Sequence, residues 1–377
     1  MFGLQNLLRS LLFLGVIFFR AISAQAQEDD QTGAIRNIGF RVHRASIIQH
    51  SKKLSDDFRM AHPWALEAEY SWHLRNENVT GTCNCYPRAG ISLEYIDFDL
   101  GDTLGRSLAG YAFIEPFIMP GRKLNFALKF GLGPAYMSSV YDETSNPDNL
   151  FFSSRISFIA LFSLSCNYRI TPQLALRLGA NFNHISNSGI REPNLGMNFP
   201  SLNLGMEYAF SPAAFKPLPR QENPFSTQNR NRFDCIVAGA MKTPEWKSGQ
   251  ELYPVVCLAV NYSRILWRSL AVSVSGEWVN DLTRKALVLE MDYRNEDGKY
   301  VNHTTIGGLA GLEWMFGRII FSQQMGYYIY SPLESRSSFY QRYGLSFKIS
   351  EHVYAGLNIK AHAQDADFMD LRMGFYL

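Results

Sequence analysis

A histidine and a serine stand two residues apart in Asn183-His184-Ile185-Ser186-Asn187, where a segment of alternating apolar and polar residues ends. A serine hydroxyl is a weak nucleophile until a neighbouring base takes its proton, and an imidazole can take that proton near neutral pH. The pair is therefore the minimal apparatus for cleaving an ester. Leu174, Leu176, Leu178, Ala180 and Phe182 are in phase with His184, and Ser186 follows in the same phase. Gln173, Ala175, Arg177, Gly179, Asn181 and Asn183 occupy the other phase. If the segment is a β-strand, base and nucleophile share the face of the leucines. Polar groups on such a face lose their water partners unless they sit near a boundary with water.

The elements that must position the pair are strands. Alternating segments bounded by Gly, Asn, Asp, Ser and Pro recur near 35–46, 62–73, 87–98, 107–118, 123–138, 152–168, 172–184 and 199–210. After a break they resume near 233–241, 252–263, 268–279, 303–315, 317–330, 338–349, 352–363 and 367–377. In 199–210, Leu202, Leu204, Met206, Tyr208 and Phe210 oppose Ser201, Asn203, Gly205, Glu207 and Ala209. No stretch reaches the roughly 18 consecutive apolar residues of a spanning helix. Aromatic residues make up 14% of the chain. A soluble sandwich or propeller would turn a polar face outward, whereas an outer-membrane barrel turns one face of every strand to lipid. The fold class expected is all-β, a transmembrane antiparallel barrel.

The opening residues point the same way. Arg9, the apolar run Leu11–Phe19 and Ala24-Gln25-Ala26 make residues 1–26 a secretory signal with an Ala-x-Ala cleavage site. Removing them takes away Arg9 and Arg20 and leaves 34 basic against 34 acidic residues, a balance that suggests no nucleic-acid partner. With the mature N-terminus on the periplasmic side, odd strands run outward. The strand carrying His184 is the seventh, so the pair falls at the outer leaflet and a substrate arriving there would be a lipid.

His184-Ile185-Ser186-Asn187, then Pro193-Asn194-Leu195-Gly196 starting seven residues after the serine, then an alternating strand ending at Phe210, resembles the lipid A deacylase (PagL) and acyloxyacyl hydrolase-like family. The resemblance covers about residues 35–210. It implies an eight-stranded outer-membrane barrel with its site on the outer surface. It also implies a serine-dependent carboxylic ester hydrolase with Ser186 as nucleophile, His184 as general base, and Asn194 in the oxyanion hole with backbone N–H groups such as that of Gly189. The family's third member is a glutamate two residues after the Gly of P-N-x-G, and here that position is Asn198. An amide can orient the imidazole but supplies no charge to stabilise the imidazolium. Glu192, in the loop, and Glu207, in the lumen-facing phase, are no better placed. His-x-Ser with an Asn twelve residues after the Ser also resembles outer-membrane phospholipase A, a larger, calcium-dependent barrel. The non-enzymatic alternative is a porin or scaffold barrel.

Residues 211–231 carry four prolines and no periodicity, and divide the chain into 27–210 and 232–377. Phe162–His184 resembles Tyr343–His362, and Ser201–Phe210 resembles Phe368–Leu377, so the second half reads as a degenerate copy. His362 answers to His184 but Gln364 stands where Ser186 would, and His362 falls in the lumen phase. Two architectures follow: one closed barrel of about 14–16 strands, the expectation favoured here, or two tandem eight-stranded barrels. The five cysteines form no disulfide framework and no zinc spacing. The expected partner is lipid A or phospholipid of the outer leaflet, with no metal and no cofactor.

Overall fold

The computed structural model describes residues 34–376 apart from 52–53, 76–79, 81–84, 120, 212–214, 216–229, 245–250, 268–269, 317, 334–336 and 364. The expected signal peptide, most of the Pro-rich segment and Gln364 lie outside the described residues. The first eight strands are β1 (Ile35–Ala45), β2 (Trp64–His73), β3 (Tyr86–Asp97), β4 (Arg106–Ile118), β5 (Leu124–Met137), β6 (Ile156–Arg169), β7 (Leu174–Ser186) and β8 (Met197–Ala209). Eight more follow as β9 (Asn231–Lys242), β10 (Tyr253–Trp267), β11 (Leu270–Asp281), β12 (Thr304–Phe316), β13 (Ile319–Tyr330), β14 (Phe339–Lys348), β15 (Val353–His362) and β16 (Asp365–Tyr376). Two helices, α1 (Asp57–Met60) and α2 (Leu282–Glu290), lie in connections between strands.

The strands close into two antiparallel barrels, β1 to β8 and β9 to β16. This corrects the expectation of one wide barrel. β8 returns to β1, with Asn37 opposite Ala209 and Ala45 opposite Ser201, and β16 returns to β9, with Leu371 opposite Gly239. The inward side chains give the physical reason. An eight-stranded bore is just wide enough for side chains to fill, and each half carries a charge network of that size. In the first barrel Arg41 reaches Glu67 (2.8 Å) and Glu69 (2.7 Å), and Lys129 bonds the same two carboxylates. Deeper along the bore, Arg88 and Arg177 both pair with Glu115 and Glu207. The second barrel has its own set, with Arg342 on Glu277 (2.9 Å) and Asp370 (2.6 Å), and Arg232 on Glu313 (2.5 Å). A bore twice as wide would separate these partners and fill with water.

Outside, the leucine phase is exposed on every strand of the first barrel. Phe40, Val42, Leu66, Leu93, Phe130, Leu164, Leu178 and Leu204 form the band. Trp64, Tyr95 and Tyr136 stand towards one end of it, and Trp72, Tyr168 and Tyr208 towards the other. An apolar band flanked by aromatic residues is what a barrel presents to a bilayer. At the end with the longer loops the barrel is capped by an apolar core. Ile47, Leu54, Phe58 of α1, Phe98, Leu104, Phe151 and Phe152 pack there against Ile185, Met197 and Phe199. That cap buries residues from several connections over the end of β7 and β8, so the loop between them has something rigid to rest on.

Candidate active site

β7 alternates as the sequence predicts. Leu176, Leu178, Ala180 and Phe182 are exposed while Arg177, Gly179, Asn181 and Asn183 are buried in the lumen. His184 continues the outward series and is half-buried. On the neighbouring strand Asn198 stands directly opposite it in the β7–β8 register. His184 Nδ1 lies 2.7 Å from Asn198 Oδ1. With an oxygen facing Nδ1, that nitrogen carries the proton, and Nε2 keeps the lone pair a general base needs.

Ser186 ends the strand, and its residue is only 5% exposed because the loop 187–196 folds over it. Ser186 Oγ accepts from the Ser188 backbone N–H (2.9 Å) and from Asn194 Nδ2 (2.9 Å). Asn194 is itself fixed, its Oδ1 accepting from the Asn187 N–H (3.1 Å) and its own N–H donating to Glu192 Oε2 (2.9 Å). Ser188 and Gly189 both have positive φ, at 57° and 76°, which turns successive N–H groups towards one side of the loop. Among the described residues no hydrogen bond joins His184 to Ser186. Catalytic hydrogen bonds in unliganded enzymes commonly tighten only when substrate binds.

Gly196 explains how the two side chains approach. Its φ is +65°, and a Cβ there would meet His184 Cε1 at 3.0 Å and Ser186 Cβ at 3.3 Å. A glycine lies against both imidazole and serine because a methyl group would press on both.

The loop is braced from several directions. Ser153 Oγ donates to the Arg191 carbonyl (2.7 Å), and Asn187 Nδ2 reaches both that carbonyl and Ser153 Oγ. His50 Nε2 is 3.0 Å from the Leu195 carbonyl, and the Leu195 N–H donates to the Leu150 carbonyl (3.0 Å). His50 and Ser153 carried no functional signal in the sequence, whereas Asn187 belongs to the His-x-Ser-Asn motif. His50 is 145 positions from Leu195, and such a bond leaves no local spacing to read.

The structure thus brings Ser186, His184, Asn194 and Asn198 to one outward patch, with Gly189 on the loop beside them. Glu192 holds the Asn194 backbone rather than the imidazole. Glu207 is committed to Arg88 and Arg177 inside the barrel. In the second barrel His362 Nε2 is 3.0 Å from the Tyr328 hydroxyl and stacks on that ring, a lumen placement unlike that of His184. Cys85 is disulfide-bonded, and Cys166, Cys235 and Cys257 are free thiols.

Comparison with known proteins gives matches to both halves. The family described as lipid A 3-O-deacylase (PagL) matches residues 54–207, and the acyloxyacyl hydrolase C-terminal domain matches residues 231–377. The second half thereby has a domain description of its own. No curated protein matches the sequence. Among solved structures, the outer membrane enzyme PagL is similar at 15% identity and a TM-score of 0.34, covering 44% of this chain and 97% of that one. Neisserial surface protein A is similar at 11% identity and a TM-score of 0.31, covering 46% and 97%. Ail, the attachment invasion locus protein of Yersinia pestis, is similar at 12% identity and a TM-score of 0.26, covering 47% and 99%.

Proposed function

This chain belongs to the lipid A 3-O-deacylase (PagL) and acyloxyacyl hydrolase family, and from that premise we propose that its first barrel removes an ester-linked acyl chain from lipid A. The protein is one of the bacterial outer membrane, whose outer leaflet presents such a lipid to the barrel's flank. The observation that carries the proposal is the placement of His184, Ser186 and Asn198 on the lipid-facing phase of β7 and β8, with an asparagine side chain and a loop N–H converging on Ser186 Oγ.

In the proposed reaction Ser186 Oγ turns from its two donors towards His184 Nε2 and attacks the acyl carbonyl carbon. The hydroxyl proton passes to Nε2, and Asn198 Oδ1 holds the ring through Nδ1–H. The donors that Oγ leaves, Asn194 Nδ2 and the Ser188 N–H, together with the Gly189 N–H, then face the carbonyl oxygen as it becomes an oxyanion. Collapse of the tetrahedral species breaks the bond to the sugar oxygen, which takes the proton back from Nε2. Water, deprotonated by the same imidazole, hydrolyses the acyl-enzyme and releases the fatty acid.

Mass spectrometry of lipid A and phospholipids from cells producing the wild type or Ser186→Ala tests this. Loss of one acyl chain from lipid A in the wild type alone is expected, with both proteins keeping heat-modifiable migration on gels. Lysophospholipid in place of deacylated lipid A would move the assignment to a phospholipase. No change in either pool would leave the patch without catalytic function.

A further inference from the structure

The second barrel touches the first at the loop that carries the proposed oxyanion donors. The Thr243 N–H, just past the end of β9, donates to the Ile190 carbonyl (3.3 Å). Thr243 is 4% exposed, although it lies at the rim of its own barrel. One residue earlier in the loop, a Cβ on Gly189 would come within 2.5 Å of the Asp367 carbonyl oxygen of β16, so the two backbones are in contact there. Both contacts fall within residues 188–190, immediately after Ser186.

The two contacting points of the second barrel are themselves tied together. Lys242, the residue before Thr243, is buried and places Nζ 2.6 Å from Asp367 Oδ1 and 2.8 Å from Asp281 Oδ2. It thus joins the ends of β9, β11 and β16 at the rim that meets the loop. Lys242 replaces the freedom of two rim segments with one charge-assisted cluster, and the segments it fixes are those that touch Gly189 and Ile190.

We propose that the second barrel positions the catalytic loop of the first: Thr243 and Asp367 set the backbone of residues 188–190, and Lys242 holds both in place. This rests on the catalytic reading of Ser186 above. Lys242, Thr243 and Asp367 are positioning residues, with no contact to the reacting atoms. Their effect is on turnover, because a donor displaced by about 1 Å can cost on the order of 100-fold in rate.

The test uses the full-length protein, folded in detergent, with two readouts. First, Ile190→Cys with Thr243→Cys should form a disulfide on mild oxidation, each single variant serving as control. Absence of that crosslink overturns the proposal whatever the activity. Second, a fluorophosphonate labels Ser186 according to its reactivity, without the need for a lipid. Lys242→Met and Thr243→Pro should each slow labelling by about 10-fold or more while the first barrel keeps its heat-modifiable migration, and Lys242→Arg should restore most of the rate. Lipid turnover should fall in kcat with little change in KM. Labelling of both variants at the wild-type rate overturns the proposal and leaves the catalytic reading intact. A crosslink in the double-cysteine variant together with no label at Ser186 of the wild type overturns the catalytic reading, and with it any positioning role.

Discussion

His184 and Asn198 face each other across the β7–β8 pair with Nδ1 and Oδ1 2.7 Å apart. The amide oxygen sets the tautomer as a carboxylate would, and it contributes no negative charge. Replacement of the acid by an amide can cost about 10⁴-fold where it leaves the imidazole in the wrong tautomer. In the proposed mechanism the tautomer here is the useful one, so the loss would be confined to stabilisation of the imidazolium.

Asn198→Glu should therefore raise turnover, by roughly 10-fold or more. A carboxylate beside the ring favours its protonated form. The basic form is then lost at a higher pH, and the acidic limb of the kcat/KM profile should move upward. A profile identical to wild type would show that residue 198 does not act on the imidazole.

Asn194→Ala removes a donor from Ser186 Oγ and, in the proposed mechanism, from the oxyanion. The expected loss is about 10² to 10³ in kcat with KM little changed. Steady-state kinetics on a soluble ester separates the two. A rise in KM at constant kcat would recast Asn194 as a substrate-binding group.

Gly196→Ala places a methyl group 3.0 Å from His184 Cε1 and 3.3 Å from Ser186 Cβ, at a φ of +65°. The left-handed backbone adds about 1–2 kcal/mol of strain in a loop, far from enough to open a barrel. The variant should fold and lose about 100-fold in turnover through displacement of base and nucleophile. Fluorophosphonate labelling, read beside heat-modifiability, distinguishes that outcome from misfolding.

Each lumen holds its own ion pairs, Arg88 and Arg177 with Glu115 in one barrel and Arg342 with Glu277 and Asp370 in the other. Protease cleavage within 211–230 should thus yield two fragments that each stay folded in detergent. Gel migration with and without boiling checks this. Loss of heat-modifiability in either fragment would show that one barrel needs the other to remain closed.

Much of this architecture is legible in the sequence because alternation reports which face a residue takes. Leu202, Leu204 and Met206 announce β8, and the phase that His184 shares with Leu176 and Leu178 is enough to put the site on the bilayer side. Alternation is silent on partners. Nothing in the spacing says that β8 closes on β1 or that Arg88 reaches Glu207, 119 positions away, and the expectation of one wide barrel fails at that point. The site divides in the same way. Ser186, His184, Asn194 and Asn198 can be named from a local motif, whereas the braces from His50 and Ser153 arise from loops that meet only once the apolar cap has formed.

The position of Ser186 at the last residue of β7 fixes its height. Thirteen residues of tilted strand rise about 30 Å along the barrel axis, a little more than the apolar band of about 25 Å that such barrels present. In the proposed mechanism Ser186 would attack from just above the edge of such a band, on a barrel packed with ion pairs that resists bending. Under that mechanism selection of a bond would become a matter of altitude: an ester would be cut when its carbonyl rides at that level in the leaflet, and chains attached higher or deeper would pass the same serine untouched.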